Sequence, residues 1–144
     1  MARVVVEYPG NTIYSQDISV RISDVNVAGH LGFDALASYL NEVRVRFFSA
    51  FGLTSEALGG SVVVFADLAI VYQSEAFHGE VLRIDVAIGD VEAKGCDLVY
   101  RITKKGSWKP VALAKSGIVF INSKSRKASD IPPEFLEIIE SGTL

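Results

Sequence analysis

The stretch from Ser23 to Gly52, SDVNVAGHLGFDALASYLNEVRVRFFSAFG, constrains the fold more than any other part of the chain. It opens as a polar, glycine-containing loop and runs on into a long apolar helix. From Phe33, the residues Leu36, Leu40, Val43 and Phe47 recur at three- and four-residue spacing, which stacks them on one helix face. Ala37, Tyr39, Phe48, Ala50 and Phe51 make the other faces unusually apolar as well. Gly32 stands where a cap belongs, Asp34 falls in the first turn, and Gly52 follows the last periodic residue. About 18 residues at about 1.5 Å each make a rod of roughly 27 Å. Its circumference asks for more cover than a flat sheet offers, so the sheet curls round it and a second subunit covers the remainder.

The rest of the chain supplies strands. Val4, Val5 and Val6 are extended, Pro9 to Asn11 turn, and Ile13 to Ile22 alternates, with Ile18, Val20 and Ile22 on one face of a half-buried strand. A short helical signal at Thr54 to Leu58 is stopped by Gly59 and Gly60. Four strand candidates follow: Ser61 to Tyr72, Val81 to Ile88, Cys96 to Thr103 and Pro110 to Ile121. Their connections, Ala76 to Glu80, Gly89 to Gly95 and Lys104 to Lys109, are short and rich in glycine and charge, and read as hairpin loops between antiparallel neighbours. Asp130 and the prolines Pro132 and Pro133 open a short C-terminal helix. With no long crossovers, the architecture is α+β, a curved antiparallel sheet around one long central helix.

At 144 residues and 49% apolar, residues 1–144 make a single, well-buried domain. A net charge of -3 gives no pull toward nucleic acid or anionic lipid, so neither is expected as a partner. Nine of the fourteen Lys and Arg lie from Lys94 onward, which leaves the second half able to hold an anionic small molecule or merely to solvate hairpin ends. Cys96 is the only cysteine and the two histidines are far apart, so no disulfide and no metal site are expected. The first residues lack the apolar core of a signal peptide, Asp67 interrupts the longest apolar run, and a cytoplasmic location is expected.

The order of elements, together with the loop Asp24-Val25-Asn26-Val27-Ala28-Gly29-His30, resembles the hotdog-fold acyl-CoA thioesterases, most closely the 4-hydroxybenzoyl-CoA thioesterase type. Their loop typically reads Asp-x-Asp-x-x-Gly-His, followed by a long helix with an acidic residue and an arginine near its end. Asp24, Gly29, His30, Glu42 and Arg44 occupy or adjoin those places. One position departs. The second loop acid of the family, the carboxylate that attacks the thioester or activates water, is Asn26 here. An amide is neither a carboxylate base nor a nucleophile, though it can orient a water or a carbonyl. The family's backbone N–H at the helix start, which polarises the thioester carbonyl, falls at Phe33 and depends on backbone geometry rather than on side chain.

The resemblance thus implies hydrolysis of an acyl-CoA or acyl-carrier-protein thioester by a homodimer or homotetramer, with no cofactor, since CoA is part of the substrate. Asn26, His30, Asp34 and the Phe33 amide are the expected catalytic groups, water being held by Asn26 and either His30 or Asp34. Each side chain has a plainer reading: His30 and Asp24 brace the loop, and Asp34 complements the helix dipole. Glu42 and Arg44 are solvated or structural or pair across a subunit interface, or Glu42 faces the site. Asp67, in an apolar strand, points to water, pairs, or faces a site. The pantetheine arm would run between subunits, the acyl group against the helix and facing strands, and the phosphates toward second-half basic residues. Two other functions fit the same fold: acyl-thioester binding without hydrolysis, and hydration or dehydration of an acyl thioester.

Overall fold

The helix of the opening stretch forms as its periodicity demands, over Phe33–Ala50 (α1), with Gly32 as N-cap and Gly52, at φ +65°, turning the chain away after it. In the computed structural model, residues 1–141 are described, so the last three positions of the expected domain lie outside them. Around α1 lie strands β1 (Tyr14–Ser19), β2 (Ser61–Tyr72), β3 (Val81–Gly89), β4 (Gly95–Lys104) and β5 (Pro110–Asn122). A second helix, α2 (Pro133–Ser141), closes the described chain.

All strand pairs are antiparallel, in the order β1-β3-β4-β5-β2. The connections β3 to β4 and β4 to β5 are the expected hairpins. The one between β2 and β3 is not, and that expectation is corrected: β2 lies at the far edge, against β5. Both edges of β3 are taken, by β1 and β4, so β2 pairs along its length with β5 instead. Residues 73–80 instead cross the end of the sheet. Their backbone bonds go to Val111, Leu31 and Val20 rather than across a hairpin.

Other expectations shift locally. The strand read from Ile13 to Ile22 stops at Ser19, and Ile22 is 69% exposed because the chain has already entered a 3-10 turn, Ile22–Asp24. Val4 and Val5 find no partner strand and are exposed. Residues 54–58 form successive turns, pinned by the Thr54 hydroxyl, which accepts from the Ala57 amide.

The inner face of the sheet and one stripe of α1 make the core. Leu36, Tyr39, Leu40, Val43 and Phe47 are buried on that stripe. Truncating one of them to Ala costs about 2–5 kcal/mol. Phe47 meets the rings of Tyr14, Phe48 and Phe51, while Phe135 docks α2 onto Phe120 and Phe48. The opposite side of α1 carries Ser38, Glu42, Arg46 and Ser49 in solvent. So the helix is less enclosed than its composition suggests. A bulge in β2 between Phe65 and Asp67 bends this edge strand, and Phe65, Leu68 and Tyr72 stay about half exposed along it.

Candidate active site

Loop 25–31 is built by its own backbone. An isolated bridge pairs Val25 with Leu31, the Asn26 amide donates to the His30 carbonyl at 2.9 Å, and the Gly29 amide donates to the Asn26 carbonyl at 3.0 Å. Gly29 takes φ +89°, a conformation that a side chain would strain. The Asn26 side-chain oxygen accepts from the amides of Ala28 at 3.0 Å and His30 at 3.4 Å. Two N–H donors require an acceptor, so the oxygen is committed to the loop and the NH2 is the free end of Asn26.

Asp24 is engaged below this loop through one carboxylate oxygen, Oδ2. Tyr39 donates its hydroxyl to the carboxylate at 2.6 Å and Arg21 donates Nε at 2.9 Å. The bond from Tyr39, followed by that from Arg21, holds the carboxyl below its usual range. Asp24 is therefore a brace between loop and helix.

At the helix start, Gly32 brings no capping side chain, so the first-turn amides beginning with Phe33 are orphan donors at the positive end of the dipole. Tyr72, on β2, fixes this turn by donating its hydroxyl to the Phe33 carbonyl at 2.8 Å. Asp34 curls back over Gly32, where an added Cβ would lie 2.5 Å from its Oδ1.

Asn26, His30, Phe33, Leu36, Tyr72 and Glu75 are among the residues lining one cleft of about 460 Å3. The structure thus brings together Asn26, His30 and Phe33 but places Asp34 outside the lining. The Leu31 amide donates to the Ala76 carbonyl at 2.8 Å, which draws the β2–β3 connection onto the loop and sets Glu75 beside His30. His30 Nε2 and Glu75 Oε1 are 3.8 Å apart, while Nδ1 lies 3.4 Å from the Leu31 carbonyl. A proton on Nδ1 faces that carbonyl, leaving the Nε2 lone pair toward Glu75. The 3.8 Å separation is ion-pair range, longer than a direct hydrogen bond.

Glu75 and Tyr72 escaped the sequence reading. Tyr72 merely ended a strand, and Glu75 fell between that strand and the Ala76 to Glu80 connection, read as a hairpin to β3; with that topology nothing places it near His30. The remaining candidates lie elsewhere. Glu42 pairs with Arg46 one turn on, in solvent. Asp67 accepts from Lys115 and from the Gly117 amide, bonds that keep its carboxyl below the usual range. The second of the two histidines, His78, is exposed, and burial, with Asp97 adding to it, pushes the Cys96 thiol up to about 12. Of the second-half cations, Lys94, Lys104, Lys105 and Lys115 already hold carboxylates. Among the described residues no group of three His, Cys, Asp or Glu is placed to hold a metal, and no helix is long and apolar enough to cross a membrane.

Comparison with known structures identifies this arrangement of sheet and helix as the hotdog fold. The 1,4-dihydroxy-2-naphthoyl-CoA thioesterase Slr0204 from Synechocystis superposes with a TM-score of 0.79 at 20% identity, over 88% of this chain and 94% of that one. SAV2348 from Staphylococcus aureus, solved in complex with CoA, gives 0.81 at 18% identity, over 98% and 87%. The 12:0-ACP thioesterase from Umbellularia californica gives 0.75 at 14% identity, over 91% of this chain and 50% of that one. A search of curated sequences finds no match. The family model of the thioesterase-like superfamily matches residues 20–139, from the end of β1 into α2, and so takes in the loop, the helix start and Glu75. By that match, the chain belongs to the thioesterase-like superfamily.

Proposed function

We propose that the protein hydrolyses acyl-CoA thioesters, releasing free acid and CoA, in the cleft between loop 25–31, the start of α1 and the β2–β3 connection. The observation that carries this reading is the convergence of His30, the Glu75 carboxylate and an uncapped helix start on one cleft. The thioester carbonyl oxygen lies at the Phe33 amide, with the free NH2 of Asn26 as a second donor. Both stabilise the oxyanion as it forms. Water between His30 and Glu75 attacks the carbonyl carbon and gives its proton to Nε2. The tetrahedral intermediate then expels the thiolate, to which His30 returns the proton. Glu75 orients the water and stabilises the imidazolium, a carboxylate supplied from across the sheet in place of the one missing at position 26.

The subunit arrangement follows from β2. It is a long edge strand with half-exposed Phe65, Leu68 and Tyr72, a surface that water covers poorly. Pairing with the same strand of a second copy covers it in a homodimer, which two such dimers extend to a tetramer.

One observation favours a second reading. The Asn26 oxygen is spent on the loop, so the position at which related loops hold a reactive carboxylate has no base of its own. A protein that binds acyl thioesters without cleaving them would look the same there. Free-thiol release across aliphatic and aromatic acyl-CoAs separates the two. Turnover that falls about 100-fold in His30→Ala is the expected result; tight binding with no release supports the binding protein.

A further inference from the structure

The seam between α1 and β2 continues past the cleft. Further along the same two elements lies a second, separate cavity of about 310 Å3, lined in part by Ala37, Leu40, Phe65, Leu68, Tyr100 and Ser116. That volume is at the small end of ligand pockets. Its walls are mostly apolar, but its inner end is not. The buried Tyr100 hydroxyl and Ser116 Oγ lie 3.1 Å apart and bond each other. Two hydroxyls carry two hydrogens and this bond uses one, so one donor has no acceptor among the described residues.

Arg44 lies behind the lining rather than in it, touching two lining residues, Phe65 and Asn41. Its guanidinium carbon is 4.9 Å from the ring centroid of Phe65 and 5.7 Å from that of Phe48. One terminal nitrogen donates to Asn41 Oδ1 at 3.2 Å, whereas the buried Nε has no partner. Arg21, Arg46, Arg83 and Arg101 each hold a carboxylate, but among the described residues none pairs with Arg44. A half-buried cation without a counter-charge is costly, and an arriving anion offsets that cost. Asp67 also lines the cavity, yet its carboxylate is already bonded to Lys115 and the Gly117 amide.

We propose that this cavity receives the far end of the acyl group and selects chains ending in a carboxylate, with Arg44 pairing that carboxylate and the one free hydroxyl hydrogen of the Tyr100–Ser116 pair donating to it. The substrate class is then the half-thioester of a dicarboxylic acid, an inference that rests on the thioesterase reading. Arg44 stands 11 residues beyond Phe33, about 16 Å along the axis, and its side chain leans back toward the helix start. The span suits a chain of medium length rather than a malonyl or succinyl group.

The test uses pairs of acyl-CoAs of equal length, one ending in methyl and one in carboxylate, with the full-length protein and its Arg44→Gln and Tyr100→Phe variants. The expected wild-type result is a kcat/KM at least about tenfold higher for the carboxylate member at one medium length. Arg44→Gln should lower that member about tenfold more than its methyl partner, and Tyr100→Phe should remove a smaller part of the preference. Equal rates within every pair, or an Arg44→Gln effect identical on both members, overturn the proposal. So does an Arg44→Gln protein that self-associates more weakly by sedimentation while its acyl preference stands, because Arg44 then serves a second copy. Turnover of methyl members without a carboxylate preference leaves the thioesterase reading intact and rejects this one. Should no member turn over, calorimetric titration with the same pairs decides: equal affinities reject the carboxylate site, and a preference lost in Arg44→Gln upholds it.

Discussion

The outer face of the sheet and the α1–β2 seam are both rich in polar groups, but they use them differently. On the outer face, Asp17 holds Arg83 and Lys105, Asp85 holds Arg101 and Ser15, and Lys115 bridges Asp67 and Asp97. Every one of those groups has found its partner within the fold. Along the seam, the Asn26 NH2, the first-turn amides and the Glu75 carboxylate have partners missing or distant, and Arg44 is half-buried with its Nε unpartnered and, among the described residues, no carboxylate beside it. Satisfied charges hold a structure in place, whereas unsatisfied ones are retained where a ligand completes them.

Variants sharpen this contrast, the largest effect coming from the outer sheet. At Gly95 an added Cβ would run into the backbone carbonyl of Ile118, which cannot step aside as a side chain can. Gly95→Ala is expected to cost about 3 kcal/mol in urea unfolding. Tyr39→Phe comes next, at about 1–2 kcal/mol, because it strips the Asp24 brace of its shortest bond. It also loosens loop 25–31 and should reduce turnover, which a purely structural tyrosine far from the site would not do. Acid tests the carboxylates together. Asp17, Asp24 and Asp67 are held below their usual range by bonds from Arg83, Tyr39 and Lys115 respectively. Their stabilisation is complete above about pH 5 and is lost as pH falls from about 4 through the lowered folded values, so Tm should be level above that window and drop within it. Lys115→Met should matter least, under about 1 kcal/mol with turnover intact, since the Asp67 end of its pairs is half exposed and that carboxylate keeps the Gly117 amide. A turnover defect there would break the division between the two regions.

Much of this was legible in the chain itself. Leu36, Leu40, Val43 and Phe47 announce α1, and the loop from Asp24 to His30 marks the site proposed for the chemistry. Strand identity was also readable, because alternation is local. Pairing was not, since nothing within β2 says that it belongs beside β5 rather than β3. That single error hid Glu75, whose place beside His30 depends on the β2–β3 connection crossing the sheet end. Asn26 was read correctly as an amide, but its bonds to Ala28 and His30 exist only in the folded loop. Arg44 looked like a solvated helix residue; its isolation follows from the side chains that surround it, Phe48 and Phe65, not from its own position in the sequence.

The central claim is that His30 and Glu75 act as one catalytic unit. The direct test is kcat/KM for thiol release by wild type, His30→Ala, Glu75→Gln and the double variant on one well-turned-over acyl-CoA. Buried Cys96, with its thiol pushed up to about 12, adds little background to such an assay. The account predicts losses of about 100-fold in His30→Ala, somewhat less in Glu75→Gln, and a double variant no worse than His30→Ala alone. Full activity in Glu75→Gln, or losses that simply multiply in the double variant, would contradict it.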